Sequence, residues 1–115
     1  MRRIPPRQFT PDKQTGVMRP SSAAFDDDED GEPMSVYRSD VIVESGGSVQ
    51  RVLVGHKGYA VSAIAAGFVR AFQQSVHSDP LPEEESHAVV CGHKTESIRR
   101  KMAKQARWAV RPEAE

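Results

Sequence analysis

Gly92-His93-Lys94-Thr95 stands just ahead of the best-marked helical stretch of the chain. It combines a flexible backbone, a lysine, a hydroxyl and the free amides of a first helical turn, a set that attracts phosphate or carboxylate. It is not a nucleotide phosphate loop, which requires another glycine five residues before an adjacent Gly-Lys pair; here His93 separates Gly92 from Lys94. The helical stretch itself carries Arg100, Lys104 and Arg107 on one side, with Arg111 beyond them. A cationic stripe of this kind lies along a phosphate backbone and displaces its counterions, so its affinity falls steeply with salt. The candidate anion-binding residues are therefore Lys94, Thr95, Arg100, Lys104 and Arg107. The plainer reading of the same residues is a capped helix with a solvated face.

Other chemistry is less well supplied. His56, His77, His87, His93 and the single Cys91 are the soft metal ligands. In an extended strand His87 and Cys91 stand about 13 Å apart, too far to share an ion, so only Cys91, His93 and a distant His56 could meet. Without paired-cysteine spacing no metal or cofactor is assigned. Cys91 lies inside an apolar run, where a thiol is buried and inert. No serine sits in a Gly-x-Ser-x-Gly elbow. A small enzyme or enzyme subunit remains the alternative, with a polar site built from His56, His87, His93, Lys94 and Arg7 and no catalytic residue singled out.

The elements that must position these groups follow from periodicity. Counting 100° per residue from Ile98, the residues Ala109, Met102 and Ala106 fall within 80° of it, whereas Arg107, Arg100 and Lys104 fall between 180° and 240°. One amphipathic helix over 95–108 is expected, with Thr95 as N-cap, Glu96 at the positive end of the dipole and Pro112 barring continuation. Trp108, off the apolar stripe, is alternatively the start of a final extended segment with Val110. Val49 to Val54 and Tyr59 to Ile64 read as two strands joined through Gly55-His56-Lys57-Gly58, and His87 to Gly92 reads as a third, buried strand. A short helix is expected within Ala65 to Gln74, a loop at Asp79-Pro80-Leu81-Pro82, and either a strand or a helical turn from Ser39 within Val36 to Val43. Val-Gly-His-Lys at 54–57 and Cys-Gly-His-Lys at 91–94 repeat a turn of the same composition, too few copies for a solenoid.

A length of 115 residues suits one small domain. Five of the eight prolines fall before Met34, so residues 1–34 are expected to form an irregular arm with an acidic run, pinned by Phe9 and Phe25, beside a domain over 35–112. Sixteen basic and sixteen acidic residues cancel, yet the charge is blocked: +4 over 1–20, −7 over 21–45 and +6 over 94–111. Asp26 to Asp30 is thus a possible internal cover for the basic helix. The one cysteine rules out an internal disulfide framework and suits a reducing compartment; the apolar run from Ala60 to Val69 is too short to span a bilayer, and no secretory leader is evident. A cytoplasmic protein without a membrane role is expected.

The segments Arg7-Gln8-Phe9-Thr10-Pro11, Ser35-Val36-Tyr37-Arg38, His87 through Arg100 and Trp108-Ala109-Val110-Arg111-Pro112 resemble small uncharacterised bacterial proteins. The likeness spans most of the chain, implies a bacterial cytoplasmic accessory protein, and brings no activity or catalytic residue with it. The resulting expectation is an α+β domain of three or four short strands, a C-terminal amphipathic helix packed on them and an irregular N-terminal arm. Its function is expected to be non-enzymatic binding of a polyanion such as nucleic acid, or of an acidic protein partner.

Overall fold

Short runs rich in β-branched and apolar residues, such as Ser35-Val36-Tyr37 and His87 to Cys91, make short strands. The computed structural model, which describes residues 1–113, has eight of them among those residues. They are β1 (Arg2–Ile4), β2 (Phe9–Pro11), β3 (Met18–Pro20), β4 (Met34–Tyr37), β5 (Ala60–Ala63), β6 (Ser75–Ser78), β7 (His87–Cys91) and β8 (Arg107–Val110). Three small antiparallel sheets result, in the orders β1-β5-β8, β2-β3 and β4-β7-β6. Helices α1 (Ser39–Glu44), α2 (Ala66–Arg70) and α3 (Glu96–Gln105) complete the α+β arrangement expected from the sequence. Val36 to Val43 resolves into both of its readings, since β4 runs directly into α1.

Residues 1–34 are more ordered than an irregular arm. β1 pairs with β5, placing Ile4 fully inside the core. The backbones of Met1 and Tyr37 exchange hydrogen bonds of 2.7 and 2.8 Å, which tie that sheet to β4. Phe25 is buried as expected, contributing roughly 1.5–3 kcal/mol. It belongs to a short 3-10 turn, Ser22–Phe25, that forms the main packing partner of α3. Phe25, Met34, Val36, Val90 and Met102 share one cluster, so the core runs through both parts of the chain.

Two sequence expectations fail for identifiable reasons. Val49–Leu53 is a 3-10 helix rather than a strand, and β5 takes β1 and β8 as its neighbours, so no hairpin crosses Gly55 to Gly58. The residues of that segment turned inward are Val49, Val52 and Leu53, a spacing of three and one that a helical turn satisfies and a pleat does not. Val54 is left exposed. α3, in turn, stops at Gln105 instead of reaching 108. Ala106 adopts ψ 145°, and β8 then half-buries Trp108 and Val110 in alternation with exposed Arg107 and Ala109, pairing with β5. The period-2 reading of Trp108 and Val110 therefore prevails over the helical one, and Ala109 leaves the apolar stripe. The two Gly-His-Lys turns share composition only: Gly55 follows a 3-10 helix at φ 81°, whereas Gly92 leaves β7 at φ 141°.

The residue that ties the acidic run to α3 is Lys94. Its side chain is 1% exposed, and its ammonium donates to the Asp27 carboxylate, to Val90 O at 2.9 Å and to Gly92 O at 3.1 Å. Removing the ammonium takes a partner from two carbonyls and from a half-exposed carboxylate at once. Lys94→Met, which keeps the volume of the stem, is expected to cost about 2–4 kcal/mol, and Asp27→Asn about 1–3 kcal/mol because Asp27 keeps partial access to water. Urea denaturation measures both; an unchanged midpoint for Lys94→Met contradicts this role.

Candidate anion-binding site

The five residues expected to bind anions divide into two groups. Thr95 accepts a hydrogen bond from the Ile98 amide at 3.2 Å and is occupied as the N-cap. Lys94 is enclosed beside Asp27, and Thr95, although exposed, is engaged as the cap, so neither presents a free charge outward. Arg100, Lys104 and Arg107 do, and they line one groove of about 690 Å³ between α3 and the β2–β3 hairpin. Arg107 reaches it from the start of β8 rather than from the helix. Its Nη1 donates to Gln105 O and Ala106 O at 3.2 and 3.3 Å, placing a cation at the negative end of the α3 dipole.

The hairpin supplies the opposite wall, and with it cations that the sequence reading passed over. Lys13 and Arg19 line the groove together with the hydroxyl-bearing Thr10, Ser21 and Ser22. The signal for them was present in the +4 block over residues 1–20 and in Asp12-Lys13-Gln14-Thr15-Gly16, whose composition is that of a turn. Gly16 adopts φ 72° to close that turn, donating to Asp12 O at 2.8 Å.

Among the described residues Asp12 is the only carboxylate on the groove wall. Its Oδ1 accepts from the Gln14 and Thr15 amides at 2.9 and 3.0 Å, and these backbone hydrogen bonds hold its carboxyl below the usual range. Arg19 lies 3.9 Å away, with both side chains about two-fifths exposed, so little of its charge is neutralised. Arg100 pairs with Glu96 at 2.8 Å, but both are mostly exposed, and an exposed i,i+4 pair contributes only about 0.3–0.5 kcal/mol. A ligand oxygen can take the place of Glu96 at little cost.

The acidic run lies elsewhere. Asp27 meets Lys94, Asp26 approaches Arg99 at 3.7 Å, and Asp28 meets Arg2 at 3.1 Å. Arg2 also donates to Ala24 O and Ser35 O, stitching β1, the 3-10 turn and β4 together. The expected cover over Arg100, Lys104 and Arg107 is thus not formed by these three aspartates; Asp26 and Asp27 meet cations at the N-terminal end of α3, and Asp28 meets Arg2 of β1.

The residues of the alternative, enzymatic set do not converge. Arg7 and His56 line one cleft of about 400 Å³, while His87 lines another. His93 is exposed and Lys94 buried. The His87 ring is buried against Tyr37, and its Nδ1 stands 2.9 Å from Asp79 O in the adjoining loop, a structural contact. No group of three or more metal-ligating side chains is found among the described residues.

His56 is the one histidine with a distinctive electrostatic setting. Its Nε2 lies 2.7 Å from Arg3 Nη1, and because a guanidinium only donates, that nitrogen accepts and the proton sits on Nδ1. Desolvation, with the Arg3 charge second, holds its pKa below the usual 6.5. The unfolded chain therefore binds more protons just below pH 6.5; stability from this contact is complete above that pH and is lost as pH falls through the folded pKa. His56→Gln, which does not titrate, is expected to lose less stability than the parent chain between about pH 7 and about pH 5, measured by denaturation at each pH. Equal losses contradict the assignment.

No known protein family, curated protein or solved structure matches this chain.

Proposed function

We propose that the protein is a non-enzymatic binding module, a cytoplasmic accessory protein that captures a polyanion in the groove between α3 and the β2–β3 hairpin. The observation that carries this reading is the imbalance of charge on the groove walls: among the described residues Lys13, Arg19, Arg100, Lys104 and Arg107 line them with one carboxylate, Asp12, and only the exposed Glu96 stands beside Arg100. Asp12 is already held by two turn amides. Cations left without firm partners on a concave surface focus potential and exchange their counterions for phosphate. The open, mixed walls suit an extended anion lying across them better than a small molecule enclosed by them.

Each phosphate contact adds about 0.7–0.9 to the slope of log affinity against log salt. Four or five contacts then weaken binding on the order of a hundredfold between about 50 and 200 mM salt. The double variant Arg100→Glu, Lys104→Glu is expected to lower affinity for inorganic polyphosphate at low salt roughly tenfold or more while the circular dichroism spectrum stays unchanged. The double reversal Lys57→Glu, Arg70→Glu, at exposed cations outside the groove, makes the same change of charge and serves as the control for net charge. Equal weakening by both changes would mean that overall charge, not the groove, governs capture.

A further inference from the structure

We infer that the polyanion is a single-stranded nucleic acid and that Trp108 is the platform on which one of its bases stacks. This rests on the groove reading and narrows it. The observation behind it is the continuity of two clefts. The groove shares Asp12, Arg19 and Arg107 with a second cleft of about 470 Å³ around the β2–β3 hairpin, and that cleft runs on to Met18, Trp108 and Arg111. One track therefore leads from Arg100 and Lys104 over Arg107 to an indole, with a further cation beside it.

Trp108 is set as a platform is. The Phe9 ring meets it edge-on, with centroids 5.7 Å apart and an interplanar angle of 79°, and its Nε1 donates to Met18 O at 2.9 Å. Both contacts fix the ring before any ligand arrives. The N–H is already used, so what the half-buried indole has left for a ligand in the cleft is its apolar surface.

Of the extended anions, polyphosphate and acidic peptides can use the cations, but neither carries a base to lay on an indole. A duplex keeps its bases stacked inside. A single strand offers both a charged backbone and free π-faces, the pairing used by grooves that combine cations with aromatic platforms.

Trp108 is the only tryptophan of the chain, so its emission reports on its own site. The intact chain is titrated at low salt with a twelve-residue oligothymidylate, with the matching duplex and with inorganic polyphosphate. Emission is expected to be quenched by the single strand and not by polyphosphate. In anisotropy with labelled oligothymidylate, Trp108→Ala is expected to weaken binding roughly 5- to 100-fold, and Trp108→Phe to restore most of it, while polyphosphate affinity stays within about twofold. Because Trp108 packs on Phe9, the phenylalanine variant and the quenching of the parent chain decide the matter if the alanine variant does not fold. Unquenched emission, or duplex binding as tight as single-strand binding, overturns the assignment of a single strand; intact polyphosphate binding in that case leaves the groove reading standing. Failure to bind any of the three overturns both.

Discussion

The buried ammonium of Lys94 is the constraint on which the rest of the charge layout depends. An ammonium enclosed next to β7 needs an anion and several carbonyls to compensate lost hydration, and Val90 O, Gly92 O and Asp27 meet that need. Asp27 in turn draws the acidic segment against the N-terminal end of α3, where Asp26 nears Arg99. The Arg99 guanidinium also donates to Lys94 O at 2.7 Å, closing the arrangement from the helix side. A neutral chain thereby becomes an unevenly charged surface. Asp26 and Asp27 are consumed at the N-terminal end of α3, whereas Arg100, in mid-helix, meets only the exposed Glu96, and Lys104, near the C-terminal end, keeps its charge.

The other wall of the groove follows from how the N-terminal segment is anchored. β1 inserts beside β5 and the Ser22–Phe25 turn packs on α3, so the stretch between them has both ends fixed and folds back as the β2–β3 hairpin. That hairpin brings Lys13 and Arg19 to α3 from far away in sequence. The early end of α3 contributes as well: by turning at Ala106 into β8, the chain places Arg107 under the helix terminus and Trp108 beside the hairpin. A helix continued to 108 would have carried Arg107 on its polar face and removed Trp108 from Met18.

What could be read in the sequence were features governed by local chemistry. Thr95 caps α3 because a hydroxyl ahead of an amphipathic stretch meets free amides wherever that stretch lies. β7 and β5 were visible as short apolar runs ending at turn residues. The alternation at Trp108 and Val110 was visible too, but it competed with a helical stripe through Ala109, and only the pairing of β8 with β5 decides between them. Val49 to Val54 misled because β-branched residues express fitness for a pleated surface, whereas β5, the strand expected to pair with them, takes β1 and β8 as its neighbours. The groove was half legible. Arg100, Lys104 and Arg107 follow from one stretch of chain, whereas Lys13 and Arg19 join them only through tertiary folding of a proline-rich segment. Lys94 was misplaced because a lysine beside a glycine turn carries no local mark of burial; its partner Asp27 lies 67 residues away.

The sorting of cations into buried and available ones is tested most directly by amine-acylation footprinting of the intact chain, read by mass spectrometry with and without inorganic polyphosphate. The account predicts that Lys94 stays unlabelled throughout, that Lys13 and Lys104 label readily and become protected by polyphosphate, and that Lys57 labels equally in both conditions. Labelling of Lys94 as fast as Lys104, or protection of Lys57 to the same degree as Lys13 and Lys104, would contradict it.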